Sequence, residues 1–279
     1  MDKTILVAAL ATAGSLWAQW PSYPTAAVPK DANGKPVLDA PTPRAADGHP
    51  DLSGVWAFRG NLRGQGGAGI ASIPEQPAQT APSGPPVAAF FNIGAGMRAS
   101  LPLQPWAADL LKARTDEHSK DNPDAHCLPL GLTQLHMHPQ PRKIIQNPDV
   151  TVILYEAQGG VRQIFTDGRL LPPRDAEPWW YGYSIGHWEG DTLVVETNGF
   201  RDDVWLDVNG SPLTNDGRMI ERYRRPNYGT LQIDVTIDDA KVYTKPFTVR
   251  VNQRIMPDAE LIEFICNEND RSGPHLVGK

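Results

Sequence analysis

The chain has 279 residues, 21% of them charged, and a formal net charge of −6. That length suits one large β domain or two ordinary ones. The acidic balance argues against a nucleic-acid or anionic-membrane partner, which needs a basic face.

Residues 1–18 read as an export signal. Lys3 gives a positive start, "TILVAALATAG" is an apolar run too short to span a membrane, and "LWAQ" offers a small-residue cleavage point after Ala18. No later run approaches transmembrane length, so the mature protein is expected to be periplasmic or secreted, with no membrane span. Residues 19–50, rich in Pro, Ala and Asp, read as an extended arm. A single β domain is expected over residues 51–279, opening with the strand "DLSGVWAFRG" and interrupted by a loop and helix insertion over 60–126. The stretch 60–104 has no period and is heavy in Gly and Pro. A loop that long is either a flexible insertion or a cover over something. Its composition and that of the arm predict that neither matters to the stability of the barrel. "PWAADLLKARTDEH" (105–118) reads as the one helix, with Pro105 as its first residue and Trp106, Leu110 and Leu111 on one face.

Cys127 and Cys266 are the two cysteines. In an oxidising compartment such a pair is most simply a disulfide. "LHMHPQP" follows at 135–141. On a strand, His136 and His138 point the same way, one manner of beginning a metal site, with His126 or His187 as a third ligand. The plain alternative is a polar junction between a loop and a strand.

From residue 142 onward nine β-rich runs follow one another, from "RKIIQNP" to "ELIEFICNEN". Turn signals such as "GG", "DG", "EGD" and "NYG" separate them. Short links require antiparallel neighbours, and closure removes the two edges of a long meander. The expected fold is therefore all-β: an antiparallel up-and-down barrel of roughly 8–10 strands with one helix and long Gly/Pro-rich loops. A flatter sheet or a sandwich is the alternative.

Alternation then assigns faces. "TLQIDVTI" puts Leu231, Ile233, Val235 and Ile237 inward. "MIERYRR" puts Met219, Glu221 and Tyr223 inward, so Glu221 is either a buried structural carboxylate with a partner or a site residue. If Gly190–Asp191 is the turn of "GYSIGHWEGDTLVVETNGF", then His187 pairs with Val194, Ile185 with Glu196 and Tyr183 with Asn198 on one face, with Trp188, Leu193, Val195 and Thr197 on the other. The polar face is either solvent-exposed sheet or the lining of a wet cavity.

"CLPLG", "IFTDGR", "GHWEGDTLVVET", "WLD", "ERYRR", "GTLQIDVTIDD" and "EFICNEN" resemble a group of exported bacterial proteins, over about residues 50 to 270. That group brings no assigned activity. "DLSGVW" is similar to the Gly-x-Trp opening of lipocalins and other calycins, which implies a cup-shaped barrel with one open mouth.

These readings favour an exported protein that binds a small, partly apolar molecule in a barrel mouth, or an enzyme acting on one. His187, Glu221 and Tyr183 are the candidate catalytic group, because His titrates near neutrality and mixed aromatic, apolar and carboxylate faces suit a pocket. Trp56, Trp188, Trp205 and Glu156 are the candidate ligand contacts, and His136 and His138 the candidate metal ligands. The rival classes are a structural or interaction module of the cell envelope with a filled barrel, and a His-ligated metalloprotein. The sequence names no cofactor.

Overall fold

A computed structural model describes residues 24–25, 27–60, 84–266 and 268. The expected signal segment 1–18 lies outside them, as does most of the Gly-rich stretch after β1.

Nine strands close into one barrel in sequence order: β1 (Gly54–Phe58), β2 (Arg142–Gln146), β3 (Val150–Tyr155), β4 (Val161–Phe165), β5 (Tyr183–Glu189), β6 (Thr192–Asn198), β7 (Arg218–Asn227), β8 (Thr230–Asp238) and β9 (Phe247–Ile255). Every neighbouring pair is antiparallel except β4–β5. The exception follows from the count, since an odd number of strands cannot close with every pair antiparallel. The link over 166–182 is long enough to return the chain to the end it left, and its three prolines suit a path outside any ladder. "ELIEFICNEN" forms no strand. It runs on from β9 with Ile262, Phe264 and Ile265 exposed.

The two ends of the barrel differ. Tight turns at 147–149, 190–191 and 228–229 close one end, and Gly190 takes the positive φ (58°) that its turn requires. The long connections 199–217 and 239–246 lie at the other. A cover over that wide end comes from the stretch read as dispensable. Phe90, Ile93 and Ala88 are buried in the core. Val87 pairs beside Arg250, extending the ladder on β9 past the end of β1. Buried Asp207 holds this cover by accepting from the Ile93 amide at 2.8 Å. The arm is docked as well. The amides of Gly229 and Tyr228 donate to the Leu38 and Ala40 carbonyls at 2.7 and 2.8 Å, and Arg44 pairs with Asp191. Composition hid this because a few buried apolar residues and backbone bonds are enough to hold a segment that is Pro-rich overall.

The helix α1 (Pro105–Asp116) begins at Pro105 as expected, but Ala107 is its buried residue. Trp106 is half exposed, its indole N–H donating to the Lys241 carbonyl at 2.9 Å. A second helix, α2 (Leu132–Met137), replaces the expected strand junction, and all six of its residues are buried. Gly131 precedes it, packed so closely that a Cβ there would come within 2.2 Å of the Trp205 carbonyl oxygen. Cys127 and Cys266 are bonded as a disulfide, tying the approach to α2 to the segment after β9. Among the described residues no helix is long and apolar enough to cross a membrane.

Candidate ligand-binding site in the barrel interior

The barrel interior is apolar along most of β7–β9, where Leu231, Ile233, Val235 and Ile237 point inward as the alternation predicts. A polar layer interrupts it. Alternation also brings Glu221 and Tyr223 inward from β7, and Arg162 enters from β4, Ser184 from β5 and Thr197 from β6, all buried. Arg162 forms a two-pronged pair with Glu221, with Nη1 at 3.0 Å from Oε1. It also donates to Tyr223 Oη (3.2 Å), Ser184 Oγ (3.0 Å) and Thr197 Oγ1 (3.0 Å). Tyr223 donates to Glu221 Oε1 at 2.8 Å. Helix α2 adds His136, with Nε2 at 2.7 Å from the same Oε1.

Burial alone pushes the Glu221 carboxyl up, but Arg162 and the hydrogen bonds from His136 and Arg162 more than offset it, holding it well below the usual carboxylate range. An ionised carboxylate can only accept, which assigns the His136 proton to Nε2. Burial lowers the His136 pKa, so the ring is neutral. Its Nδ1 then carries a bare lone pair, buried without a partner.

Arg142 is the second buried cation. It stands opposite Tyr155 on β3 and Trp56 on β1 in one cross-strand row. It donates to the carbonyls of His136, His138 (3.0 Å) and Gln140 (3.1 Å). Among the described residues no carboxylate pairs with it. Burial lowers its pKa to about 10, so it stays charged at neutral pH. Its Nε has no partner, and the buried Tyr155 hydroxyl makes no well-formed hydrogen bond among the described residues, though it lies close enough to Arg162 to interact with it. Gln253, whose Nε2 reaches the His136 carbonyl at 3.4 Å, leaves its Oε1 unpartnered. Around this layer Arg142 and Arg162 stand against the Glu221 carboxylate, together with a hydroxyl, an imidazole lone pair and an amide oxygen without well-formed hydrogen bonds among the described residues. Buried polar groups are normally satisfied; Arg142 Nε and the Tyr155 hydroxyl can donate to an anionic group, and the imidazole lone pair and amide oxygen can accept from a donor on the same molecule.

The residues singled out from the sequence lie apart. The hairpin register is as read, Tyr183 opposite Asn198 and His187 opposite Val194, but that face is the outer wall. His187 is 55% exposed, its Nε2 at 3.4 Å from Glu189, so the expected grouping of His187 and Tyr183 with Glu221 does not form: one pair is outside the wall and the carboxylate inside. Tyr183 stacks on Phe165 and accepts from Arg169 at 3.0 Å. Trp188 leans inward from the hairpin under the stacked ring of His49, 4.6 Å away. Trp205, in the connection at the wide end, is buried beneath Arg114, 4.3 Å from its ring. Glu156 accepts from the Ile262 amide at 3.0 Å and anchors the C-terminal segment. Trp56 alone of these contacts lies in the row beside Arg142, its indole N–H given to the Leu52 carbonyl. His136 and His138 do not share a face, because the segment is a helix and its C-cap. His138 Nδ1 accepts from the Gln140 amide at 3.2 Å, and burial lowers its pKa to about 4. Among the described residues no group of three or more His, Cys, Asp or Glu is placed to hold a metal ion.

These buried histidines make stability depend on pH. Their folded pKa values lie below the usual 6.5 or so, so their contribution is complete above that value and is lost as pH falls. For His138 the loss is complete near its folded value of about 4. The urea midpoint is expected to fall steadily from neutral pH toward that value. A midpoint that stays flat over this range contradicts the buried, neutral assignment.

Comparison of the chain with protein-family models, with curated proteins and with solved structures gives no match.

Proposed function

We propose that this is an exported protein, periplasmic or secreted, whose barrel binds a small, partly apolar organic anion beside Arg142. One observation carries the reading: a fully buried arginine without a carboxylate partner among the described residues, next to polar atoms the fold leaves unused. An isolated buried charge is costly unless something compensates it. A carboxylate or phenolate ligand would do so by accepting from Arg142 and Tyr155, while a hydroxyl or N–H on the same ligand donates to Gln253 Oε1 and the His136 lone pair and the apolar wall takes its body. The same Nδ1 is a proton acceptor, so turnover of the ligand is chemically open to the site. The Cys127–Cys266 bridge supports an oxidising compartment. Tight turns at one end and long connections at the other support the calycin-like expectation of a single mouth, which here is the covered end.

A second reading has its own observation. Two of the three carbonyls bonded by Arg142, those of His136 and of the C-cap His138, close α2, so the arginine also serves as a helix C-cap, as it would in a filled barrel acting as an envelope module. Tyr155→Phe separates the two. The hydroxyl makes no well-formed hydrogen bond among the described residues, so its removal should leave stability unchanged or raise it, by up to about 1–3 kcal/mol. Native mass spectrometry of protein from its source should find a bound organic anion, held about tenfold less tightly by the variant. A protein free of any small molecule, with Tyr155→Phe clearly destabilised, would establish the filled barrel.

A further inference from the structure

We propose a second binding site, outside the barrel, for a molecule carrying two or more closely spaced oxyanion groups. The arm and the outer wall of β7–β9 enclose a cleft of about 770 Å³. Arg44 comes from the arm, Arg224 and Arg225 from β7, and Arg250 from β9. Against these four cations stand three carboxylates. Asp191 is paired to Arg44, and Asp234 is shared by Arg224 and Arg250. Arg225 is buried at the edge of the cleft over the Trp56 ring, gives its donors to the carbonyls of Asp51, Ser53 and Tyr228, and has the Asp51 charge nearby. Arg224 Nε is buried without a partner. In a chain of net charge −6 this is a local surplus of positive charge, focused in a cleft where field lines concentrate.

The register explains how the cations come together. Arg224 lies between Thr192 and Gln232 across β6–β7–β8, and Asp234 sits opposite Arg250 one step along. The docked arm lays Arg44 over this wall. Guanidinium groups recognise oxyanions through paired parallel N–H donors, and cations spread over two strands and an arm match several anionic groups better than one. A polyphosphate and a polycarboxylate share this chemistry.

Isothermal titration at low ionic strength with pyrophosphate, citrate and inorganic phosphate tests the site. Pyrophosphate or citrate should bind saturably and more tightly than inorganic phosphate, and the preferred one identifies the class. Arg224→Gln should weaken binding by about tenfold or more, and Asp191→Asn should tighten it. Arg44–Asp191 is a surface ion pair that contributes little to folding, and Arg250 keeps the buried Asp234 paired when Arg224 is replaced. Tyr155→Phe should leave this binding unchanged, which separates the site from the interior one. Absence of saturable binding by all three anions, or equal binding by the parent and Arg224→Gln, overturns the proposal.

Discussion

Arg162→Met is expected to destabilise the barrel by about 3–5 kcal/mol, because it leaves Glu221 as an uncompensated buried charge. Glu221 is fully buried, and Arg162 supplies its only cationic partner within hydrogen-bond reach among the described residues. The loss extends beyond Coulomb attraction, since Ser184, Thr197 and Tyr223 each lose a donor as well. Replacing both charges, Arg162→Met with Glu221→Met, should recover much of the loss, because two apolar side chains of similar volume need no partner. Denaturant melts of the parent, both single variants and the double variant give the coupling directly. If the double variant is as unstable as the sum of the two single ones, the pair is not the organising interaction of the polar layer.

Much of this architecture could be read from residue order. Met219, Glu221 and Tyr223 alternate with arginines that the barrel wall cannot bury, so the inward set of β7 was legible, as was the hairpin register from Tyr183 to Asn198. The partner of Glu221 was not. In "VRQIF" the apolar Val161 is exposed and Arg162 is buried, the reverse of the usual pattern, because the cation follows a carboxylate whose position is set by another strand. His136 was hidden differently. A helix of six buried residues has neither the length nor the polar face that gives a helical period, and its contact with Glu221 spans 85 positions of sequence. The case for His187 rested on the chemistry of the residue and on the mixed face of its hairpin. On an outer wall, however, the face of a hairpin that mixes Tyr, Ile and Val with carboxylates is satisfied by cross-strand packing and surface ion pairs. The exposed "ELIEFIC" segment failed for a related reason: its alternation is strand-like, but β9 already pairs on both sides with β8 and β1, leaving no edge for a further strand.

The disulfide offers the other large effect. Cys127→Ser with Cys266→Ser is expected to cost about 5 kcal/mol in the chain-entropy account, because the bridge closes a loop of 139 residues. That loop contains α2 and every strand except β1, so the bridge restricts almost the whole barrel in the unfolded chain. Its folded-state role is more local. Cys127 lies five residues before α2, and Cys266 lies in a segment with little packing of its own, held by Glu156, the Lys143–Glu260 pair, Thr25 and the bridge. The serine variant should therefore lose stability globally and also expose the wide end first, seen as early amide exchange in residues 127–141 before the strands. Thiol titration of the unfolded, unreduced parent should find no free thiol. Two reactive thiols per chain, or a serine variant as stable as the parent, would show that the barrel closes without the bridge.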